Sequence, residues 1–241
     1  MNRQPILTWT QFNPAERQNG PVPFLSNIMG ELALLQGELE WRVFDFCRIH
    51  QIVYKEISTI EKGLDEIPPE YYSMGSGDEE SILKSRIRES INAQDIENNR
   101  VISFVDHITI VGLWAIAEQF LGKIYTSLSS RINNVPESSV QAPYKWDDFK
   151  REFRNYGIDL TTCENFLNAN ECRVLNNSIK HSPVVNTKLI RFPYFSSLLG
   201  KKLEDVPLEM QRYLNGVSDY LGSLIEKSNE RLRVFRSHGA V

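Results

Sequence analysis

One run of residues limits the possible folds of this chain more than any other. Between positions 101 and 125 the apolar side chains Val101, Ile102, Phe104, Val105, Ile108, Ile110, Val111, Leu113, Trp114, Ile116, Ala117, Phe120, Leu121, Ile124 and Tyr125 recur at three- and four-residue steps. Such spacing belongs to a helix, and apolar positions spread so widely around its circumference need cover from several sides. The run therefore predicts a central helix with others wrapped about it.

The flanking sequence supplies the wrapping helices. Leu32, Leu35, Leu39, Val43, Phe46, Cys47, Ile49, Val53 and Ile57 mark a long amphipathic helix over about 28–63, in which His50 reads as part of a polar stripe. Pro68, Pro69 and the Gly/Ser run to Gly77 break the chain. Asp78 then caps a second helical region that reaches about Ile132, with Glu79 and Glu80 in its first turn. Some 50 residues is long for one globular helix, so a kink or break is expected near Asn92 to Asn99, with one curved helix as the alternative. A short helix over 146–155 ends at Gly157. Thr161 and Glu164 have the spacing of a capping box for the next helix, which Pro183 ends. After a folded connection over 184–206, a last helix runs over about 207–235. Alternating β-branched runs are few, and the expected fold class is all-α: a helical bundle with long amphipathic helices and an irregular N-terminal arm over 1–27, rich in Pro with Trp9, Phe12 and Phe24. Residues 1–79 read as the arm and a long helix packed on the core, and 80–241 as the main helical domain.

With 241 residues and 41% hydrophobic content the chain can bury a sizeable core. Its net charge of −4 is uneven: residues 1–120 carry 10 Lys and Arg against 18 Asp and Glu, and 121–241 carry 17 against 13. The second half suits an anionic partner better. Cys47, Cys163 and Cys172 lack a paired metal-ligand spacing and read as buried thiols in a reducing compartment. Asp106, His107 and Glu118 interrupt the most apolar window, so a bilayer-crossing segment is not expected. The N-terminus lacks a basic region followed by an apolar one, which makes a cytoplasmic location the default. Walker, dinucleotide-binding, zincin and nucleophile-elbow motifs are missing from the sequence, and neither a cofactor nor a metal is implied.

The chemistry concentrates in residues 171–183. On a helix, with Arg173 at zero, Asn177 falls near 40°, His181 near 80° and Lys180 near −20°, so the four share one face. An imidazole titrates near neutrality and can move a proton. Cleavage of RNA by its own 2′-hydroxyl needs proton transfer and charge stabilisation at the phosphate. Arg173 is the candidate phosphate binder, Asn177 the orienting group and His181 the proton-transfer residue, with Asn176 and Lys180 as auxiliary substrate contacts. One helix presents no complete acid and base pair, so two copies facing one another would complete the site. Glu118, a carboxylate in the apolar run, is the candidate support, paired across the bundle to Arg173 or Lys180. His107, beside Asp106, reads as a satisfied core or interface histidine.

Cys172-Arg173, Asn176-Asn177 and Lys180-His181-Ser182, late in an all-α chain behind a core helix bearing Trp114 to Glu118, resemble the HEPN superfamily. The resemblance implies a small helical bundle of prokaryotic toxin or defence systems, and a metal-independent ribonuclease that works as a homodimer and meets an antitoxin or another defence-system protein. The hallmark of that superfamily is an Arg followed after four to six residues by a His, whereas seven residues separate Arg173 from His181. The wider spacing favours the alternative, a non-catalytic module of the same build that binds RNA or a partner protein.

Overall fold

The computed structural model describes residues 31–65 and 79–239. The N-terminal arm and the Pro/Gly segment lie outside the described residues. Among the described residues five α-helices carry the fold: α1 (Ala33–Asp65), α2 (Glu79–Asn133), α3 (Trp146–Asn155), α4 (Phe166–His181) and α5 (Met210–Gly239). Short 3-10 turns join the later helices, and no strand occurs among the described residues.

The apolar run of α2 is the axis of the bundle. Ile110, Leu113, Ala117 and Ile124 are fully buried, and α2 packs against α1, α4 and α5. On α1 the inward seam is Leu39, Val43, Cys47, His50, Tyr54 and Ile57, all buried at steps of three and four. This is coiled-coil spacing, and it pairs α1 with α2 as a long antiparallel hairpin. Along 82–105 only Asn98 of α2 is buried, so that half of the hairpin stands away from the bundle.

Two expectations fail along this hairpin. The helix α2 has no break near Asn92 to Asn99 but runs unbroken for 55 residues. The sparse apolar side chains there have α1 alongside, and tertiary packing sustains a helix that its own sequence favours weakly. His50 does not sit in an exposed polar stripe. It is fully buried, its Nε2 2.9 Å from Asp106 Oδ1, and the Tyr54 hydroxyl donates to the same oxygen at 2.8 Å. The Tyr54 ring stacks on the imidazole at 4.2 Å. A polar knot in an apolar seam fixes register, because any slip leaves buried polar groups unpaired.

By length and composition, Ile82–Asn133 is also apolar enough to cross a bilayer, contrary to the sequence expectation. Its apolar side chains from Ile110 to Leu128 belong to the core on which α4 and α5 pack.

Helix α5 buries Tyr213, Leu214, Val217, Tyr220, Leu221, Leu224 and Ile225, each contributing roughly 1.5–3 kcal/mol in transfer from water. It approaches α4 closely at Gly216, where an added Cβ would lie 2.7 Å from Asn168 Cβ and 3.1 Å from the Ala169 nitrogen. Helix α3 is a short amphipathic piece that buries Phe149 and Phe153 and ends at Tyr156-Gly157, the glycine at φ +78°.

The capping box at Thr161 and Glu164 does not form. Asp159 accepts from both the Thr161 amide (2.9 Å) and its hydroxyl (2.8 Å), which folds 160–162 into a 3-10 turn. Helix α4 begins later, behind Asn165 in left-handed geometry at φ 53°. The nearer carboxylate takes the Thr161 donors before a helix can use them. At the other end, Pro183 follows the helix as expected, and Ser182 is extended.

Candidate functional site

A cleft of about 840 Å³ opens beside α2. Its floor is one face of α2, and its walls are the start of α1, the approach to α3 and the outer face of α4. Arg173 and Asn177 enter it from α4, Glu118 from α2, and Tyr144, Lys145 and Trp146 from the segment leading into α3.

Arg173 holds a fixed pose. Its Nε and Nη2 donate to Asn170 Oδ1 at 3.0 and 2.9 Å, one helical turn back. Its guanidinium lies 5.2 Å from the centre of the Trp146 ring. Burial lowers its pKa somewhat, against the pull of Asp147, which pairs with Lys150 at 2.6 Å. Trp146 is braced in turn: Trp114 meets it edge-on at 5.9 Å, Phe166 stacks at 6.4 Å and Tyr220 lies at 6.5 Å. The pairing of a braced indole with an oriented guanidinium is rigid before any ligand arrives.

The other charges of the cleft are mostly matched. Lys123 pairs with Glu38. Glu137 accepts from Ser127 at 2.8 Å and Arg131 at 3.0 Å, and these bonds hold its carboxyl below the usual range. Glu118 is exposed and accepts from the Trp114 indole N–H at 2.9 Å. It makes no ion pair to Arg173 or Lys180 among the described residues. The expected support role is thus corrected: four residues apart on one helix, the indole reaches Glu118 without crossing the bundle. Lys145 and Arg173 have no acidic partner within salt-bridge distance among the described residues. The cleft therefore offers two unmatched cations beside aromatic faces, with Tyr144 almost wholly exposed at 95%.

The remaining candidates separate. Asn177 is exposed in the cleft, but Asn176 is fully buried, with its Oδ1 unpartnered and its Nδ2 3.5 Å from Asn177 Oδ1. A side chain enclosed in this way cannot touch a substrate, and the expected contact from Asn176 is withdrawn. Its place is inside the bundle because it lies 60° from Arg173 on the side that faces α5 and α2. Lys180 and His181 are exposed at the last turn of α4, beyond the cleft lining. His107 is half-buried and hydrogen-bonded to the Leu203 backbone, and burial holds its pKa below the usual value.

One network went unread in the sequence. Glu171, only 3% exposed, accepts from both Nη atoms of Arg212 at 2.6 and 3.0 Å and from the Tyr213 hydroxyl at 2.7 Å. Arg212 also reaches Asn168 at 2.8 Å and Glu209 at 2.7 Å. The fork clamps α4 to α5 just behind Arg173, and burial drives the Tyr213 hydroxyl well above its usual range. The only sequence signal was a Glu on the inward side of α4, next to Cys172. All three cysteines are free and buried, as read. Burial pushes Cys47 up to about 12 and Cys163 up to about 11.

Comparison with known proteins gave no matching family model, no matching curated protein and no matching solved structure.

Proposed function

We propose that the chain is a HEPN-like helical module that binds single-stranded RNA in the α2–α3–α4 cleft. The observation that carries this reading is the Arg173 guanidinium held over Trp146, facing a cleft whose rim presents Tyr144 and Lys145. Unpaired bases stack on aromatic rings and guanidinium planes, while phosphates seek unmatched cations. Trp146 and Tyr144 would take bases, Arg173 and Lys145 phosphates, and Asn177 a base edge or phosphate oxygen. The volume suits one or two nucleotides, so longer strands would leave the cleft past Lys180 and His181. The test is fluorescence anisotropy with labelled RNA oligonucleotides in chelator at low salt, comparing wild type with Arg173→Ala and Trp146→Ala. Equal binding by all three proteins, or none by wild type, sinks the reading.

A second reading, metal-independent RNA cleavage by a dimeric toxin or defence protein, is favoured by one observation. His181 is exposed on the same α4 face as Asn177, where its imidazole is open to a strand leaving the cleft. Loss of cleavage in His181→Ala, with RNA binding intact, supports it. Intact RNA after long incubation with wild type leaves the binding module alone.

A further inference from the structure

The longest acid-free part of the chain lies between Glu171 and Glu204. Although 31 of the 241 residues are Asp or Glu, none falls there, while Arg173, Lys180, Lys188, Arg191, Lys201 and Lys202 do. The fold gathers the last five at one end of the bundle, because the connection after α4 turns back on that helix. Asn186 donates to Ser178 of α4 at 2.8 Å, and its Oδ1 accepts from the Lys188 and Leu189 amides in the turn that leads to Arg191. Val184 bridges to Lys202, and the Val185 amide donates to the Lys201 carbonyl at 2.8 Å. All five cations are exposed. Lys202 has Glu204 at 3.2 Å, but Lys180, Lys188, Arg191 and Lys201 make no ion pair among the described residues. The rest of the sequence offers them little. Residues 1–30 hold Glu16 against Arg3 and Arg17. Glu66, Glu70 and Asp78 are tied to the chain at Asp65 and Glu79, and Glu79 lies about 40 Å along α2 from His107, which bonds Leu203 of the connection. A helix C-terminus favours cations through its dipole, which accounts for Lys180. It does not account for Lys188, Arg191 and Lys201, which lie beyond α4.

We propose that this basic end of the bundle is a second RNA contact, a track for the phosphate backbone that continues the cleft. The inference rests on the RNA reading of the cleft. Arg173 and Lys180 share one face of α4 about 10 Å apart along its axis, so the step from cleft to connection is made on the helix itself. A strand leaving the cleft passes Lys180 and lays its phosphates along Lys188, Arg191 and Lys201. Contacts of this kind carry no sequence information but add affinity by releasing counterions. The substrate class is therefore a single strand longer than the cleft holds, about six nucleotides or more, selected by length rather than by sequence. A bilayer or a protein surface fits this end less well. Leu199, 59% exposed, is the only large apolar side chain standing out between positions 180 and 206, whereas such partners require an apolar patch.

Titrations of the full chain with oligouridylates at several salt concentrations test the track. A dinucleotide, followed by Trp fluorescence, reports the cleft alone, and a strand of about ten nucleotides reports cleft and track together. Each phosphate contact on a single strand contributes about −0.7 to the slope of log affinity against log salt, so Arg173 and Lys145 give about −1.4 for the dinucleotide, and Lys180, Lys188, Arg191 and Lys201 bring the long strand to about −4. Lys188→Gln, Arg191→Gln and Lys201→Gln combined return the long-strand slope to about −2 and lower its affinity roughly tenfold to hundredfold at low salt. Dinucleotide affinity and the circular dichroism melt of that triple variant stay as in wild type. Equal slopes for the two ligands, or a triple variant that binds the long strand like wild type, overturns the track and leaves the cleft standing. A dinucleotide that never binds, beside a long strand lost in the triple variant, supports the basic end as a backbone site and sinks the cleft. Binding of wild type to phosphatidylserine vesicles and to neither RNA overturns both.

Discussion

The guanidinium of Arg173 lies 5.2 Å from the centre of the Trp146 ring and is fixed there by two bonds to Asn170. Arg173→Lys keeps the charge but loses both the fork to Asn170 and the planar stack. If the charge alone mattered, the variant would bind RNA like wild type. With the stack contributing about 1 kcal/mol, affinity falls about fivefold to tenfold, and Trp146 fluorescence changes less on RNA addition. Titration of both proteins with one oligonucleotide decides the matter.

Glu171 is the buried acceptor of Arg212 and Tyr213. Glu171→Ala takes the buried acceptor from the Tyr213 hydroxyl and leaves Arg212 with Glu209 and Asn168, and a loss of about 1–3 kcal/mol is expected in urea unfolding. The pair Glu171→Leu with Arg212→Met removes both charges together and should cost less than either single change. A double variant that is worse than both would show that the network contributes more than the burial of its charges.

Asp106 serves two donors, His50 and Tyr54, in the α1–α2 seam. Asp106→Ala removes the carboxylate that both share in the buried seam, for a loss of about 1–3 kcal/mol. Because the seam holds the projecting half of the hairpin, hydrogen exchange should quicken in α1 from about residue 48 onward more than in α5. Uniform quickening across the chain contradicts that local role.

Buried thiols make the fold alkali-sensitive. An unperturbed thiol ionises near 9.0, whereas in the folded chain Cys163 keeps its proton up to about 11 and Cys47 up to about 12. Above pH 9 the unfolded state binds fewer protons than the folded one, so stability falls as pH rises from 9 toward 11. The urea midpoint should drop across that window, and drop less steeply in Cys163→Ala. At pH 8 the native protein should resist thiol alkylation, since all three cysteines are inside.

Gly216 sits where α5 runs close against Asn168 and Ala169 of α4. Gly216→Ala drives a methyl into Asn168 Cβ and the Ala169 backbone, and backbone cannot swing aside. A loss of about 1–3 kcal/mol is expected by thermal melting, despite the higher helix propensity of alanine. A more stable variant would mean that the two helices part readily.

Periodicity alone was enough to place the helices, because which faces are apolar is written in residue spacing. The run from Val101 to Tyr125 therefore announced a central helix, and Leu39 to Ile57 announced its partner. Spacing on α4 likewise put Arg173 and Asn177 on one face. What it could not say is how far that face extends before the neighbouring helices rise around it. Trp146 lies 27 positions before Arg173, and only the docking of α3 against α4 and α2 brings the ring beneath the guanidinium. The same docking leaves His181 outside the cleft and Asn176 inside the bundle, though both are neighbours of the motif in sequence.

Polar side chains near the apolar stripes were the hardest to read. Spacing alone put His50 in a polar stripe, gave Asp106 and Glu171 no partner, and pointed Glu118 across the bundle to Arg173 or Lys180 rather than to Trp114. Desolvation makes burial costly unless a partner is in place, and the partner of Glu171, Arg212, is 41 residues away in sequence. The sequence by itself therefore determined an all-α chain, its central helix and the face on which its cations stand. The tertiary structure alone decided which polar groups are matched in the interior and which two cations are left facing the cleft, because a buried charge is settled by distances that only packing creates.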